Sequence, residues 1–211
     1  DPKILPITES EPIKKAESPY GNTKQIGEEI IKDLVNSSSN FNAISLRYFN
    51  PIGAHPSALI GELPIGIPQN LVPYITQTAI GKRNELTVFG DNYLTRDGSC
   101  IRDYIHVVDL AKAHIKSLEK LIKESSKNYY DAFNIGTGKG TSVLELISCF
   151  ESVSGKKLNF KIGERRKGDV AKCFADVLKA NELLNWKSKH SIEDALLSSW
   201  NWEKHIKNEK L

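Results

Sequence analysis

The chain has 211 residues and a formal net charge of +3, which is enough for one large domain or one and a half smaller ones. Its scattered charges do not indicate a nucleic-acid surface, and its longest apolar runs are far too short to cross a membrane. The three cysteines are far apart and the five histidines lack metal-site spacing, which predicts free thiols, no metal and a reducing, cytoplasmic environment.

The first stretch, residues 1–18, is polar and interrupted by prolines, so it is predicted to be irregular. The sequence contains no methionine and starts within this loop-like stretch. We therefore expect an N-terminal portion of the protein to precede the sequence as given.

A short run near the N-terminus combines a helix start with two chemically useful side chains. Ser18 is a favourable N-cap and Pro19 suits the first helical position, so a helix is predicted to run to about Val35. Tyr20 and Lys24 are four residues apart and therefore share one face of this helix. At about 5 Å and an effective dielectric near 20, an ammonium favours a phenolate by roughly 3 kcal/mol. A tyrosine that ionises more easily in this way would suit general acid–base chemistry near neutral pH. A tyrosine and a lysine at this spacing are, however, more commonly only a solvated pair.

A compact apolar strand is predicted over residues 43–49, and Asn50 with Pro51 is expected to end it. A helix followed by a short apolar strand is typical of the end of a parallel α/β sheet, where ligands bind at the carboxyl ends of the strands. Tyr48, Phe49 and Asn50 would lie at such an end.

The rest of the chain alternates predicted helices and strands after a long loop rich in glycine and proline. Strands are predicted over residues 86–89, 101–108, 132–135 and 158–162. Helices are predicted over residues 71–80, for four turns after Asp109, after Ser142, after Asp176 and from Ser191. Asn70 and Asp109 are expected to cap two of them, and Ser142 with Glu145 forms a capping-box signature. This order predicts an α/β fold: the end of a doubly wound, Rossmann-like parallel sheet plus a smaller mixed α/β substrate-binding lobe.

The turn Gly136–Gly140 follows a strand and opens a helix, as a dinucleotide-binding loop does. Its glycine spacing differs from the dinucleotide fingerprint, and no acidic residue ends a following strand about twenty positions later. A tight turn is therefore the better interpretation.

Two arginine-bearing segments are candidate phosphate sites. The turn Arg165–Asp169 is either a solvated charge cluster or a set of guanidinium forks for phosphate oxygens, with Asp169 accepting from sugar hydroxyls. Arg102 lies on an otherwise apolar strand and needs an anion, which Asp103 or a ligand phosphate would provide. Together they favour a diphosphate ligand, and Phe89 is either core or a face for a nucleobase.

Five segments carry a resemblance to a known family. YGNTK at 20–24 resembles the YxxxK motif of short-chain dehydrogenases/reductases. Four further segments resemble the UDP-glucose 4-epimerases of the extended branch: RYFNPIGAHP at 47–56, GIPQNL at 66–71, CIRDYIHVVDL at 100–110 and RRKGD at 165–169. The family's N-terminal GxxGxxG unit and the Ser or Thr that precedes the tyrosine are not in the sequence. The chain thus resembles the C-terminal two-thirds of such an enzyme.

The resemblance implies a site. Tyr20 would be the catalytic base, Lys24 would hold the nicotinamide ribose of NAD and favour the phenolate, and Tyr48 and Phe49 would lie near the nicotinamide. The UDP-sugar contacts would come from Asn50, Asn70, Leu71, Thr87, Val88, Phe89, Arg102, Arg166 and Asp169. Cys173 stands where some members carry a bulky tyrosine, which predicts room for N-acetylated UDP-sugars.

The implied reaction interconverts UDP-glucose and UDP-galactose by NAD-dependent oxidation to a 4-keto sugar and re-reduction on the opposite face, in a homodimer. Residues 1–56 would belong to the NAD-binding domain and residues 57–211 to the UDP-sugar-binding domain, with the strands around 101–108 and 132–135 returning to the first. Two alternatives stay open: another nucleotide-sugar enzyme of the family, a dehydratase or decarboxylase, or a non-catalytic UDP-sugar-binding fragment. The chain as given is expected to be inactive by itself.

Overall fold

The computed structural model of the protein describes residues 2, 4–16, 18–38 and 40–209. The helices are α1 (Pro19–Ser37), α2 (Leu71–Ala79), α3 (Val107–Lys123), α4 (Val143–Ser154), α5 (Leu178–Leu183) and α6 (Ile192–Glu209). The strands are β1 (Ala43–Tyr48), β2 (Asn50–Ile52), β3 (Leu86–Phe89), β4 (Ile101–Arg102), β5 (Tyr104–His106), β6 (Tyr130–Ile135), β7 (Thr141–Ser142), β8 (Phe160–Gly163) and β9 (Lys172–Cys173). Part of the stretch predicted to be irregular, residues 1, 3 and 17, lies outside the described residues. Within the described ranges, no helix has the length and apolar character needed to cross a bilayer.

Parallel pairing joins strands that are far apart in the sequence. Strand β1 pairs with β6, β2 with β5 and β3 with β8, all in parallel. Strand β4 lies between antiparallel β7 and parallel β9. The predicted α/β fold, with parallel strands and a mixed sheet, is confirmed. The domain boundary at residue 56 stays a prediction.

Two large apolar clusters hold these strands to the helices. One involves β5, β6, α3 and α5 and contains Ile105, Leu110, Ala113, Phe133, Ile135, Ala180, Leu184 and Trp186. The other is built mainly from α2, β3, α4 and α6 and includes Val72, Ile75, Leu86, Val88, Leu146, Phe150, Leu196 and Trp200. Phe133 and Phe150 are fully buried, so truncating either to alanine should cost about 3–5 kcal/mol of unfolding free energy.

Strand β1 ends at Tyr48, next to the predicted end at Asn50 and Pro51, but the chain does not become irregular there. These residues open a second strand, β2, because the Asn50 N–H donates to the Asp103 carbonyl at 3.0 Å and the pairing with β5 continues to Ile52. Proline is tolerated in so short a strand because its missing N–H removes only one ladder bond.

The strand predicted over residues 101–108 is instead two short strands and the start of a helix. Helix α3 begins at Val107, and the Nδ1 of His106 caps it by accepting from the Val108 N–H at 3.1 Å. The prediction that Asp109 is the cap is therefore wrong. Asp109 lies buried in the first turn of α3, where its carboxylate accepts from the backbone N–H groups of Lys189 and His190.

Candidate functional site

A cavity of about 530 Å³ opens where β2, α2, β3 and β4 meet the turn after β8. Its size suits a small-molecule ligand. The lining includes nine of the ten residues predicted to contact a UDP-sugar, namely Asn50, Asn70, Leu71, Thr87, Val88, Phe89, Arg102, Arg166 and Asp169. The tenth, Cys173, is outside the lining, but it is the register partner of Arg102 between β9 and β4.

Two guanidinium groups meet one carboxylate at this cavity. Arg102 lies 3.7 Å from Asp169 Oδ1, and Arg166 lies 3.1 Å from the same oxygen. The protein anion near Arg102 is thus Asp169, and the expectation that Asp103 serves is wrong. Because two positive charges face one negative charge, the cluster keeps a net positive charge at the cavity, as a site for phosphate oxygens requires.

Phe89 belongs to the cavity wall. Its side chain is 46% exposed, and the guanidinium of Arg166 lies 5.5 Å from its ring centroid. Of the two interpretations of Phe89, the buried-core one is therefore wrong, and its role as a face for a nucleobase stays a prediction.

Asn70 lies at the N-cap position of α2 but makes no side-chain capping bond. Its amide nitrogen donates instead to the Glu62 carboxylate at 2.7 Å. The prediction of a side-chain cap is wrong: the amide is held by the Glu62 carboxylate, and Pro73, the third residue of α2, has no N–H for the Asn70 oxygen to accept.

Tyr20 and Lys24 share one face of α1, as the spacing predicts. The Ser18 hydroxyl caps the helix by accepting from the Gly21 N–H at 3.0 Å. The Lys24 ammonium lies 5.2 Å from the centroid of the Tyr20 ring, and the tyrosine side chain is 71% exposed. The two side chains therefore present a phenol and a cation together at the surface.

The cavity lining does not include Tyr20, Lys24, Tyr48 or Phe49. Tyr48 ends β1, and the cavity residue Asn50 follows it by two positions. The chain thus runs from the carboxyl end of β1 directly into the cavity wall. The roles predicted for these four residues at a nicotinamide stay predictions.

Helix α1 is held to the sheet by polar contacts. The Glu28 carboxylate pairs with Arg47 of β1 at 2.5 Å and with Lys32 at 3.0 Å. Burial raises the pKa of Glu28, but the hydrogen bonds from Arg47 and Lys32 outweigh it and hold the pKa at about 2. One apolar side of the helix, formed by Ile26, Ile30 and Leu34, faces outward and is exposed, whereas Val35 is buried.

The turn Gly136–Gly140 is closed around an internal anion. The Asp103 carboxylate accepts from the N–H groups of Thr137 at 2.8 Å and Gly138 at 3.0 Å, and from the Thr137 hydroxyl at 2.6 Å. A Cβ on Gly136 would lie 2.5 Å from Asp103 Oδ2. Because Asp103 uses the amides that a pyrophosphate would need, the tight-turn interpretation is confirmed.

The cavity is also lined by residues that were not predicted to contact a ligand, such as Gln69, Tyr74, Cys100 and Tyr104. Their closeness in the sequence to the predicted residues Asn70, Leu71 and Arg102 could have identified them. In the part of the chain that the structure covers, no three His, Cys, Asp or Glu side chains are grouped so as to hold a metal ion.

A family profile, curated relatives and solved structures each match nearly the whole of this chain. The profile described as "GDP-mannose 4,6 dehydratase" matches residues 1–198. The UDP-glucose 4-epimerase of Drosophila melanogaster is 48% identical over 208 residues, which are 99% of this chain and 59% of that protein. The crystal structure of a UDP-glucose 4-epimerase from Stenotrophomonas maltophila, with bound NAD and formylated UDP-arabinopyranose, superposes with a TM-score of 0.93 at 44% identity and covers 98% of this chain and 60% of that one. The corresponding enzyme of Bifidobacterium longum, in complex with NAD+ and UDP, gives a TM-score of 0.90 at 45% identity, over 98% of this chain and 61% of that one.

The chain spans about 60% of the length of these relatives. Within that span the match is nearly continuous, and it includes both the YxxxK helix and the cavity. The chain therefore belongs to the family described as GDP-mannose 4,6 dehydratase, and its resemblance to the UDP-glucose 4-epimerases of the extended short-chain dehydrogenases/reductases is confirmed.

Proposed function

We propose that this chain is the substrate-binding and proton-transferring part of an NAD-dependent UDP-glucose/UDP-galactose 4-epimerase. The observation that carries the proposal is the cavity, whose wall combines an aromatic face, Phe89, with the positively charged cluster of Arg102, Arg166 and Asp169. An aromatic face next to paired guanidinium groups is suited to a base and a diphosphate on one ligand. Relatives of about 50% identity that carry the same activity support it.

The proton step is assigned to Tyr20. The Tyr20 phenolate takes the proton of the sugar 4-hydroxyl and becomes the phenol, which later returns that proton, while the Lys24 ammonium, one turn along α1, stabilises the phenolate. Tyr20 and Lys24 would hold the ribose of NAD, with Tyr48 and Phe49 beside the nicotinamide, and NAD when bound would supply the hydride chemistry at sugar C4. Arg102 and Arg166 hold the diphosphate throughout, so the sugar can present either face without leaving the site.

The residues of this chain fit the nicotinamide-ribose end of NAD. Tyr20 and Tyr48 are exposed, and donors suited to a ribose lie on α1. The glycine turn after β6 does not fit the pyrophosphate end, because Asp103 already occupies its amides.

We assign a broad sugar range to the site through Cys173. The small thiol side chain would leave space for the N-acetyl group of UDP-GlcNAc and UDP-GalNAc. Wild type should convert both the plain and the N-acetylated pairs, and Cys173→Tyr should lose only the N-acetylated activity. Cys173→Ser is the matched control. A wild type without N-acetyl activity contradicts this assignment.

The proposal includes a cytoplasmic homodimer. All three cysteines are free, which suits a reducing compartment.

The outward apolar side of α1, formed by Ile26, Ile30 and Leu34, suits a second copy of the protein. Light scattering should give two copies for wild type and for Glu29→Lys, and one copy for Ile30→Lys; a monomeric wild type contradicts the dimer.

Product analysis on the complete gene product tests the reaction. UDP-glucose incubated with NAD should yield UDP-galactose by chromatography. A 4-keto-6-deoxy sugar from the substrate would identify a dehydratase, and a UDP-pentose from UDP-glucuronate a decarboxylase. UDP binding by calorimetry without any product would identify a non-catalytic binding module.

A further inference from the structure

Two adjacent arginines of the turn after β8 have different neighbours. Arg166 lines the cavity, where it pairs with Asp169 and lies over Phe89. Arg165 is not part of the lining and contacts the loop that follows β3. The two side chains therefore leave the turn toward different parts of the protein.

Arg165 makes several specific contacts with that loop. Its guanidinium carbon lies 4.1 Å from the centroid of the Tyr93 ring. Its Nε donates to Asn92 Oδ1 at 2.6 Å, and a terminal nitrogen donates to the Asn92 carbonyl. Only a planar guanidinium can stack on a ring and donate in its own plane at once. We call Arg165, Tyr93 and Asn92 the Arg165 cluster.

The loop is shaped to receive this contact. Gly90, the first residue after β3, has a φ of +84°, and a Cβ there would lie 2.7 Å from the Tyr93 ring and 2.8 Å from the Arg165 Cγ. The Tyr93 ring itself is only 7% exposed. Its hydroxyl makes no hydrogen bond of ordinary geometry to the described residues, its polar neighbour being the weakly accepting thiol of Cys100. The ring, and not the hydroxyl, is therefore what the contact uses.

The Arg165 cluster joins the two segments that supply the charged and aromatic wall of the cavity. Phe89 precedes Gly90 at the end of β3, and Arg166 with Asp169 follows Arg165. The turn beyond β8 has three consecutive basic residues, Arg165 to Lys167, and a glycine with φ of +86°, so an anchor outside the cavity would fix the direction of the Arg166 side chain.

We propose that Arg165 is a positioning residue that sets the diphosphate affinity of the cavity without touching the ligand, by fixing the Arg166–Asp169 turn against the Phe89 loop. The inference rests on the proposed UDP-sugar function. It predicts that losing the cluster weakens binding of the diphosphate and spares binding of the nucleoside.

Calorimetry on the complete gene product tests it, with UDP and uridine as the two probes. Arg165→Ala should raise the Kd for UDP about tenfold, equivalent to about 1.4 kcal/mol, and leave the Kd for uridine within about twofold. KM for UDP-glucose should rise in parallel while kcat at saturation stays close to wild type. Tyr93→Leu should behave in the same way, and Tyr93→Phe should retain UDP affinity because the ring remains.

Two charge variants separate positioning from simple attraction. Arg165→Lys keeps the charge but cannot both stack and donate to Asn92, so it should bind UDP as weakly as Arg165→Ala. Lys167→Ala removes a charge from the same turn and is the matched control, with wild-type UDP affinity expected. Restored UDP affinity in Arg165→Lys, unchanged affinity in Arg165→Ala, or equal losses for UDP and uridine would each overturn the inference. A wild type that binds no UDP would instead refute the proposed function, and the inference with it.

Discussion

Tyr20 is the residue on which the proposed chemistry depends. It is exposed at the first turn of α1, and the only cation within reach of its ring among the described contacts is Lys24. Tyr20→Phe keeps the ring and the cation contact and removes only the hydroxyl group that carries the exchangeable proton. The complete gene product with this change should lose about 10²–10⁴ in kcat and keep its Kd for UDP, since the cavity does not include Tyr20.

Steady-state kinetics and calorimetry on the same preparation check this. Wild-type turnover in Tyr20→Phe would exclude Tyr20 as the proton carrier. Asn22→Ala, at an exposed position on the opposite side of the same turn of α1, is a control that should leave kcat near wild type.

At the level of single residues, contacts within one helical turn were predictable from the sequence, whereas contacts between residues far apart in the sequence were not. Ser18 and the reciprocal pair of Ser142 and Glu145 cap their helices as predicted, because capping depends on residues within one turn. The Arg102–Asp169 pair was not predictable, because it requires the register of β9 on β4. The internal role of Asp103 likewise depends on a turn more than thirty positions away.

The attachment of helix α1 to the sheet depends on the charge of Glu28. The pKa of Glu28 is lowered to about 2 from an ordinary value of 4.5. Its carboxylate is therefore ionised in the folded state over a pH range in which the unfolded chain takes up a proton. The stability that it contributes is present above about pH 4.5 and is lost as the pH falls toward 2.

Glu28→Gln should lower the unfolding free energy at pH 7 by about 1–3 kcal/mol and should flatten its decline below pH 4.5. Urea unfolding at several pH values measures both. Glu29→Gln, on the exposed neighbour in the same helix, should keep the wild-type profile. An unchanged acid slope in Glu28→Gln would contradict the assignment.

Among the elements, the long helices and the apolar strands β1 and β6 follow from periodicity and composition. The two-residue and three-residue strands around Asn50 and Asp103 do not, because their existence depends on the strand beside them and not on their own sequence. The start of α3 was missed for a different reason, since an imidazole acceptor is an uncommon cap.

The molecule as a whole should respond to acid through the buried side chain of His106. The His106 ring is buried and stacks on His190 at 4.3 Å, and its Nε2 lies 3.3 Å from the Ser198 hydroxyl of α6. Burial, with the neighbouring His190, lowers the pKa of His106 from 6.5 to about 4. Between pH 6.5 and about 4, this histidine is therefore protonated in the unfolded chain but neutral in the folded chain. The free energy of unfolding should accordingly fall as the pH decreases from 6.5 to about 4.

His106→Asn keeps a helix cap and removes the titrating group. The pH dependence of the unfolding free energy between 6.5 and 4 should become shallower in this variant. His114→Asn, at an exposed position of α3, should keep the wild-type slope. Equal slopes in wild type and His106→Asn would show that other groups carry the acid response.

The pairing of β1 with β6 has a consequence for how the protein is made. Residues in the forties find their partners only in the 130s, so on the ribosome the first of these strands emerges long before the second exists. Strand β1 therefore has no partner strand while the intervening segments are synthesised, and contacts of such large sequence separation slow folding. Nascent chains stalled before residue 130 should therefore be protease-sensitive around residues 43–48 and should bind chaperones, whereas chains released after β6 should not.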